Sequence, residues 1–192
     1  MSTPSEIWKG LGGRGEIPSQ SGRYTGPLLI LGGGRTVWDD FAKVRPWKGE
    51  IMAVNDAGMH VHEDVRHWVS LHPAYFPGWR SFRTGHCLNL PVCHAQRPAA
   101  GVDTAWDVVN VGGTSGLFAC YIALMLGYEE IVLGGVPMDN SGHYFDPPWV
   151  GTSFVDPAVK QVWREARDRH FKGRVTSLSG VTSQWLGARV AA

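Results

Sequence analysis

Apolar residues in this chain come in short, closed blocks. Leu28-Leu29-Ile30-Leu31 ends at Gly32-Gly33-Gly34, and Ile51-Met52-Ala53-Val54 ends at Asn55. His67-Trp68-Val69-Ser70-Leu71 ends at His72-Pro73, where the proline forces a boundary. A run that is apolar at successive positions and bounded by turn residues predicts a strand covered on both faces, as in a parallel sheet. Ile131-Val132-Leu133, leaving through Gly134-Gly135, and Val175-Thr176-Ser177-Leu178 predict two more strands.

The stretches between these blocks change period. Residues 36–43 predict a short helix with Thr36 placed to cap it. Residues 114–127, TSGLFACYIALMLG, are apolar all round at helical length, which predicts a helix buried on every side. Gly116, Ala119 and Ala123 would let it lie close to a sheet, and Gly127 would end it. Asp156-Pro157 supplies a cap and a first-turn proline for an amphipathic helix. Val159, Val162, Trp163, Ala166 and His170 form its apolar stripe, and Gly173 stops it. Residues 84–110 predict short strands and loops, and 180–187 a terminal helical turn. Residues 1–26 are rich in Gly, Ser, Pro and Arg without periodicity and predict a flexible N-terminal arm, pinned at most by Trp8 and Ile17. The expected architecture is a single Rossmann-like α/β domain over 27–192, with a mostly parallel sheet and helices on both faces.

Composition narrows the function classes. Of 192 residues, 43% are apolar and 18% charged, enough for a full core and unlike a disordered chain. The net charge of +1 lacks the field of a non-specific nucleic-acid binder. No apolar stretch has the length of a membrane span, and the first residues do not have the pattern of a secretory signal. Three cysteines at unpatterned spacing read as reduced thiols, so a cytoplasmic protein is expected. His86-Cys87 and Cys93-His94 do not have zinc-ligand spacing, so no metal site is expected.

In an open parallel sheet, ligands bind at the carboxyl ends of the strands. The residues following each strand are therefore the candidates: Gly32, Gly33, Gly34, Arg35 and Thr36 after the first, Asn55 and Asp56 after the second, His72-Pro73 after the third, and Gly135 to Asp139 later in the chain. The glycines suit a backbone that approaches a phosphate or sugar at a helix N-terminus, although Val37 stands where a dinucleotide fingerprint needs its last glycine. Asn55 can bond a base or ribose, or cap a helix. Thr114, Ser115 and Gly116 offer N–H and hydroxyl groups at the start of the buried helix, or a simple cap.

Three segments together resemble a known family. Thr114-Ser115-Gly116, the passage LFACYIALMLGYEEIVLGGV, and Gly142-His143-Tyr144-Phe145-Asp146 resemble the bacterial CMP-sialic-acid sialyltransferases of glycosyltransferase family 42. Those proteins carry a T-S-G helix start, a similar helix–strand passage and a following Tyr-x-Phe-Asp. Gly32 to Thr36 echoes their G-N-G-P-S turn, and Val54-Asn55 the end of their second strand. Related Rossmann-like proteins, including flagellin-modification accessory and 6-hydroxymethylpterin pyrophosphokinase-like proteins, share these marks.

The resemblance implies a nucleotide or nucleotide-sugar ligand, a CMP-type donor and no further cofactor. Gly32, Gly34 and Thr36 would lie near phosphate and ribose, Asn55 near base or ribose, and Thr114, Ser115 and Gly116 across the cleft. Arg35, Tyr144 and helix N-termini would steady the leaving phosphate. The family's general-base histidine, in G-H-S, is replaced by Thr152 in Gly151-Thr152-Ser153, and threonine cannot take a proton at neutral pH. His143 or Asp139 would be the replacement base. A nucleotide-binding module without catalysis and an ATP- and Mg²⁺-dependent enzyme using Asp56, Asp139 and Asp146 are the alternatives. A homo-oligomer is left open.

Overall fold

The computed structural model describes residues 1–151 and 156–189. Within them, seven strands form one sheet: β1 (Pro27–Leu31), β2 (Glu50–Val54), β3 (His67–Ser70), β4 (Val92–Ala95), β5 (Thr104–Ala105), β6 (Glu130–Gly134) and β7 (Val175–Ser177). Their order is β5-β4-β3-β2-β1-β6-β7 and every pairing is parallel. The helices are α1 (Pro4–Gly10), α2 (Val37–Val44), α3 (Ala57–His60), α4 (Phe76–Gly85), α5 (Ser115–Leu126), α6 (Pro157–Ala166) and α7 (Gly180–Leu186). This is the single α/β Rossmann-like architecture expected from the closed apolar blocks.

Strand periodicity splits the core in two. Leu28, Ile30, Met52, Val54, Ile131 and Leu133 point to the face that carries α5. Leu29, Leu31, Ile51, Ala53 and Val132 point to the other face, against Val37 and Phe41 of α2 and Phe76 of α4. Both faces of each central strand are buried, which is why these strands read as runs rather than alternations.

The central helix explains the N-terminal segment. Every residue of α5 from Leu117 to Leu126 is buried. The sheet covers one side; Ile7 and Trp8 of α1 and Trp163 of α6 belong to the core on the same face. A helix leaves its last carbonyls without intrahelical partners. Here Gly22 N–H donates to Met125 and Tyr24 N–H to Leu126, both at 3.0 Å. The reading of residues 1–26 as a flexible arm therefore needs correction: a capping box between Thr3 and Glu6 starts α1, and Ile7, Trp8 and Leu11 are core residues. Thr3-Pro4-Ser5-Glu6 carried that signal.

Two further differences are local. Thr36 occupies the N-cap position of α2 but makes no side-chain cap; its hydroxyl contacts Asp40 Oδ2 and Ser179 Oγ, both at 2.9 Å. The helix α4 has no counterpart among the expected elements; Pro77 sits in its first turn, where its missing N–H costs no helical bond. Asp156 caps α6 as expected, accepting from Ala158 N–H at 2.8 Å.

At the amino end of the sheet, buried polar groups form a directed chain. Trp106 Nε1–H, which can only donate, reaches His94 Nδ1 at 3.2 Å. His94 must then carry its proton on Nε2, which lies 3.0 Å from His67 Nδ1. His67 Nε2 in turn lies 2.9 Å from Tyr128 Oη, whose hydroxyl donates to Glu50. Both imidazoles are neutral: burial pushes His67 down to about 2, helped by His94 and Arg66, and burial pushes His94 down to about 3. Cys93 belongs to the opposite core from this chain, Cys87 is exposed, and His86 stacks on Phe82, so these four residues do not converge.

Candidate functional site

The sheet reverses its order at β1. The chain moves from β1 outward through β2 to β5, then returns to place β6 on the other side of β1. Loops leaving the carboxyl ends of β1 and β6 diverge at such a point, and a crevice opens between them. A cavity of about 300 Å³ lies there. Gly32, Gly33 and Gly34 line it together with Gly135 to Asp139. Asn55 and Asp56 enter from β2, Thr114, Ser115 and Gly116 from the start of α5, and His143 from the loop after β6.

Close packing of the two glycine turns builds the wall. Gly34 N–H donates to Gly135 at 2.8 Å, and Gly32 N–H to Gly134 at 2.9 Å. A Cβ on Gly34 would stand 2.5 Å from Pro137 Cδ and 2.7 Å from the Gly135 oxygen. Gly33 differs: a Cβ there would meet Asp56 Oδ1 at 3.4 Å and His143 Cδ2 at 3.6 Å, ordinary contact distances. Gly33 therefore faces the open crevice, while Gly34 holds the turns together. Behind Gly135, the buried Asp40 carboxylate accepts its N–H at 3.0 Å and Ser179 Oγ–H at 2.5 Å.

Each polar group is held from behind. Asn55 has a positive φ of 53°, which asparagine tolerates, and its Oδ1 accepts from Ser70 Oγ at 2.8 Å. Ser115 Oγ accepts Leu71 N–H at 3.2 Å, tying the start of α5 to the end of β3. Thr114 caps α5 through Leu117 N–H at 3.3 Å and receives Trp163 Nε1–H at 3.3 Å. The first N–H groups of α5 are of the kind that lack helical partners, and its N-terminus favours negative charge. His143 Nδ1 lies 3.0 Å from Asp146 Oδ2, which also accepts the His143 backbone N–H at 2.8 Å. The His143 backbone bond first, then the His143 ring and the Arg35 charge, hold Asp146 below the ordinary carboxylate value. The neutral tautomer set by this pair carries its lone pair on Nε2.

The structure brings Gly32, Gly33, Gly34, Asn55, Thr114, Ser115, Gly116, Gly135, Asp139 and His143 to one cavity. Arg35, Thr36 and Tyr144 are not on its lining. The Arg35 guanidinium is bonded to loop carbonyls, and Thr36 to Asp40. Tyr144 packs between Trp38 and His60; burial, and then the neighbouring Asp56 charge, raise its phenol well above the ordinary value, so it stays a neutral donor. Thr152 and Ser153 lie outside the described residues. His72 also lines the cavity, and its place at the end of β3 was the signal for it. Asp139 Oδ1 accepts from Ser141 N–H at 2.9 Å and from Ser141 Oγ at 2.5 Å. Among the described residues, no three His, Cys, Asp or Glu side chains group to hold a metal ion. No helix there is long and apolar enough to cross a membrane.

No protein-family model matches the chain, and no curated protein matches it. Solved structures do. The sialyltransferase CST-II in complex with a trisaccharide acceptor and CMP is similar, with a TM-score of 0.59 at 11% identity over 86% of this chain and 87% of that one. CstII from Campylobacter jejuni with the substrate analogue CMP-3FNeuAc gives 0.55 at 13% identity, covering 86% of each chain. The same enzyme with cytidine-5'-monophosphate gives 0.54 at 14%, covering 88% and 86%. At these identities the likeness is one of fold, and it falls on the sialyltransferase side of the resemblance.

Proposed function

We propose that this chain is a nucleotide-sugar-dependent glycosyltransferase that takes a CMP-type donor. The observation that carries the reading is one cavity holding both an imidazole backed by a carboxylate and the N-terminus of α5. The fold shared with sialyltransferases solved with CMP supports it.

In this reading the glycine wall and the first turn of α5 receive the donor phosphate, where negative charge grows as the glycosidic C–O bond breaks. Asn55 and Ser115 contact ribose or base. An acceptor hydroxyl attacks the anomeric carbon, the electron pair of the broken bond leaves on the phosphate oxygen, and His143 Nε2 takes the hydroxyl proton. Asp146 keeps the imidazole in the tautomer that can do so and stabilises the imidazolium that forms. Asp139 and Tyr144 support this loop. An ATP- and Mg²⁺-dependent reaction would draw on Asp56, Asp139 and Asp146; Asp146 is engaged by His143, which favours the transferase reading.

The test is to incubate the protein with CMP-sialic acid and with UDP- and CMP-linked sugars, and to measure nucleotide release. Release of CMP is expected, and His143→Ala should lower it by roughly 10²–10⁴-fold with nucleotide affinity little changed. No consumption of any donor, with CMP still bound in a calorimetric titration, would replace this reading by a binding module without catalysis.

A further inference from the structure

Arg35 follows the glycine wall, where a cation would ordinarily be read as a phosphate ligand. Its guanidinium points elsewhere. Nε donates to the Ser141 carbonyl at 2.5 Å, and Nη2 to Pro147 at 3.0 Å and Val150 at 3.3 Å. These three carbonyls span the loop that carries His143. The backbone adds a second fastening. Arg35 N–H donates to Gly142 at 3.0 Å, Tyr144 N–H donates to Gly33 at 3.0 Å, and Gly34 pairs with His143 in an antiparallel bridge. A guanidinium offers its donors as a rigid planar fork, so one side chain can hold several carbonyls in fixed relation. Inside the loop so held, Asp146 fixes the His143 ring through Nδ1.

We infer that Arg35 is a positioning residue: it clamps the 141–150 loop against the β1–α2 turn so that His143 is presented to the cavity with its proton on Nδ1, and it does not bind the ligand phosphate. The clamp links two sequence-distant segments, one forming the glycine wall and the other carrying the imidazole. The ligand arm of the test below rests on the nucleotide reading; the spectroscopic arm does not.

The experiment uses the full chain and Arg35→Ala, Arg35→Lys and Asp146→Asn. Nitrogen-15 NMR of the histidine rings reads the tautomer, and calorimetry reads affinity for CMP and for cytidine. In the parent, the His143 ring should show a protonated Nδ1. Arg35→Ala should mix the two tautomers, and Arg35→Lys should fail to restore the parent signal, since an ammonium cannot bridge the three carbonyls. Asp146→Asn, with the clamp intact, should move the proton to Nε2, because the amide can then donate to Nδ1. The ratio of CMP to cytidine affinity should stay within about twofold in Arg35→Ala, less than 0.5 kcal/mol. A His143 signal unchanged in Arg35→Ala would overturn the proposal. So would a loss of CMP affinity of about tenfold or more with cytidine unaffected, which would make Arg35 a phosphate ligand. Should Arg35→Ala not fold, the lysine variant decides, a parent-like ring signal and affinity ratio counting against the clamp. If the parent binds neither CMP nor cytidine, the nucleotide reading fails while the ring signals still judge the clamp.

Discussion

Adjacent residues of one type can have opposite duties. Gly34 lies where a methyl group would meet Pro137 and the backbone oxygen of Gly135, and Gly33 where it would meet only the edge of the crevice. Gly34→Ala is expected to destabilise the fold by about 1–3 kcal/mol, read in a denaturant titration. Gly33→Val should melt like the parent and weaken CMP binding by about tenfold or more, near 1.4 kcal/mol; unchanged affinity would put the ligand elsewhere. The glycine run marked the wall in the sequence, but nothing in GGGR distinguishes the packing glycine from the facing one. The histidines make the same point. The directed chain from Trp106 to Glu50 requires the Nε2–H form of both His67 and His94, whereas Asp146 requires Nδ1–H at His143. Ring nitrogen shifts should show these two classes at neutral pH.

Among elements, α5 was the most legible. An apolar residue at nearly every position of 117–126 has one solution in water, burial on all sides. Ala119 and Ala123 are fully buried in the core against the sheet. Ala119→Leu or Ala123→Leu is expected to overpack that contact and cost about 1–3 kcal/mol, measured as a shift in denaturation midpoint. What covers α5 was not legible. The segment before β1 lacks periodicity, yet Trp8 is buried and donates to the Trp106 carbonyl at 2.9 Å. Trp8→Ala should cost about 3–5 kcal/mol, which a surface arm would not show. The need for cover is a property of α5, so the order of residues 1–26 comes from a partner about a hundred positions away.

For the whole molecule, the two buried imidazoles set a pH dependence. Both stay neutral in the fold, and in the unfolded chain both take protons below about 6.5. The unfolded state then binds more protons, so stability is fully present above about pH 6.5 and is lost as pH falls toward the folded values. Each histidine contributes up to about 1.4 kcal/mol per pH unit in that window. Urea midpoints should therefore drop steeply between pH 6.5 and 4.5, and His67→Gln in combination with His94→Gln should flatten the slope. A slope unchanged in that double variant would show that other groups carry it.

The strand blocks, the all-apolar helix and the cap at Asp156 are local patterns whose physics needs no partner: a run of apolar residues must be covered, and an aspartate before a proline suits the cap and first turn of a helix. They determined the parallel sheet, and with it the edge where a ligand would sit. Which side chains reach the crevice depended on chain crossings that no local pattern encodes. Arg35 and Tyr144 stand within a residue or two of the cavity wall and lie off its lining, because the 141–150 loop packs over the β1–α2 turn and offers their polar atoms nearer partners. Asp40 and the order of residues 1–26 belong to the same category. Their roles arise from groups brought together by folding, and burial then requires each polar atom to be satisfied by whatever neighbour the fold supplies.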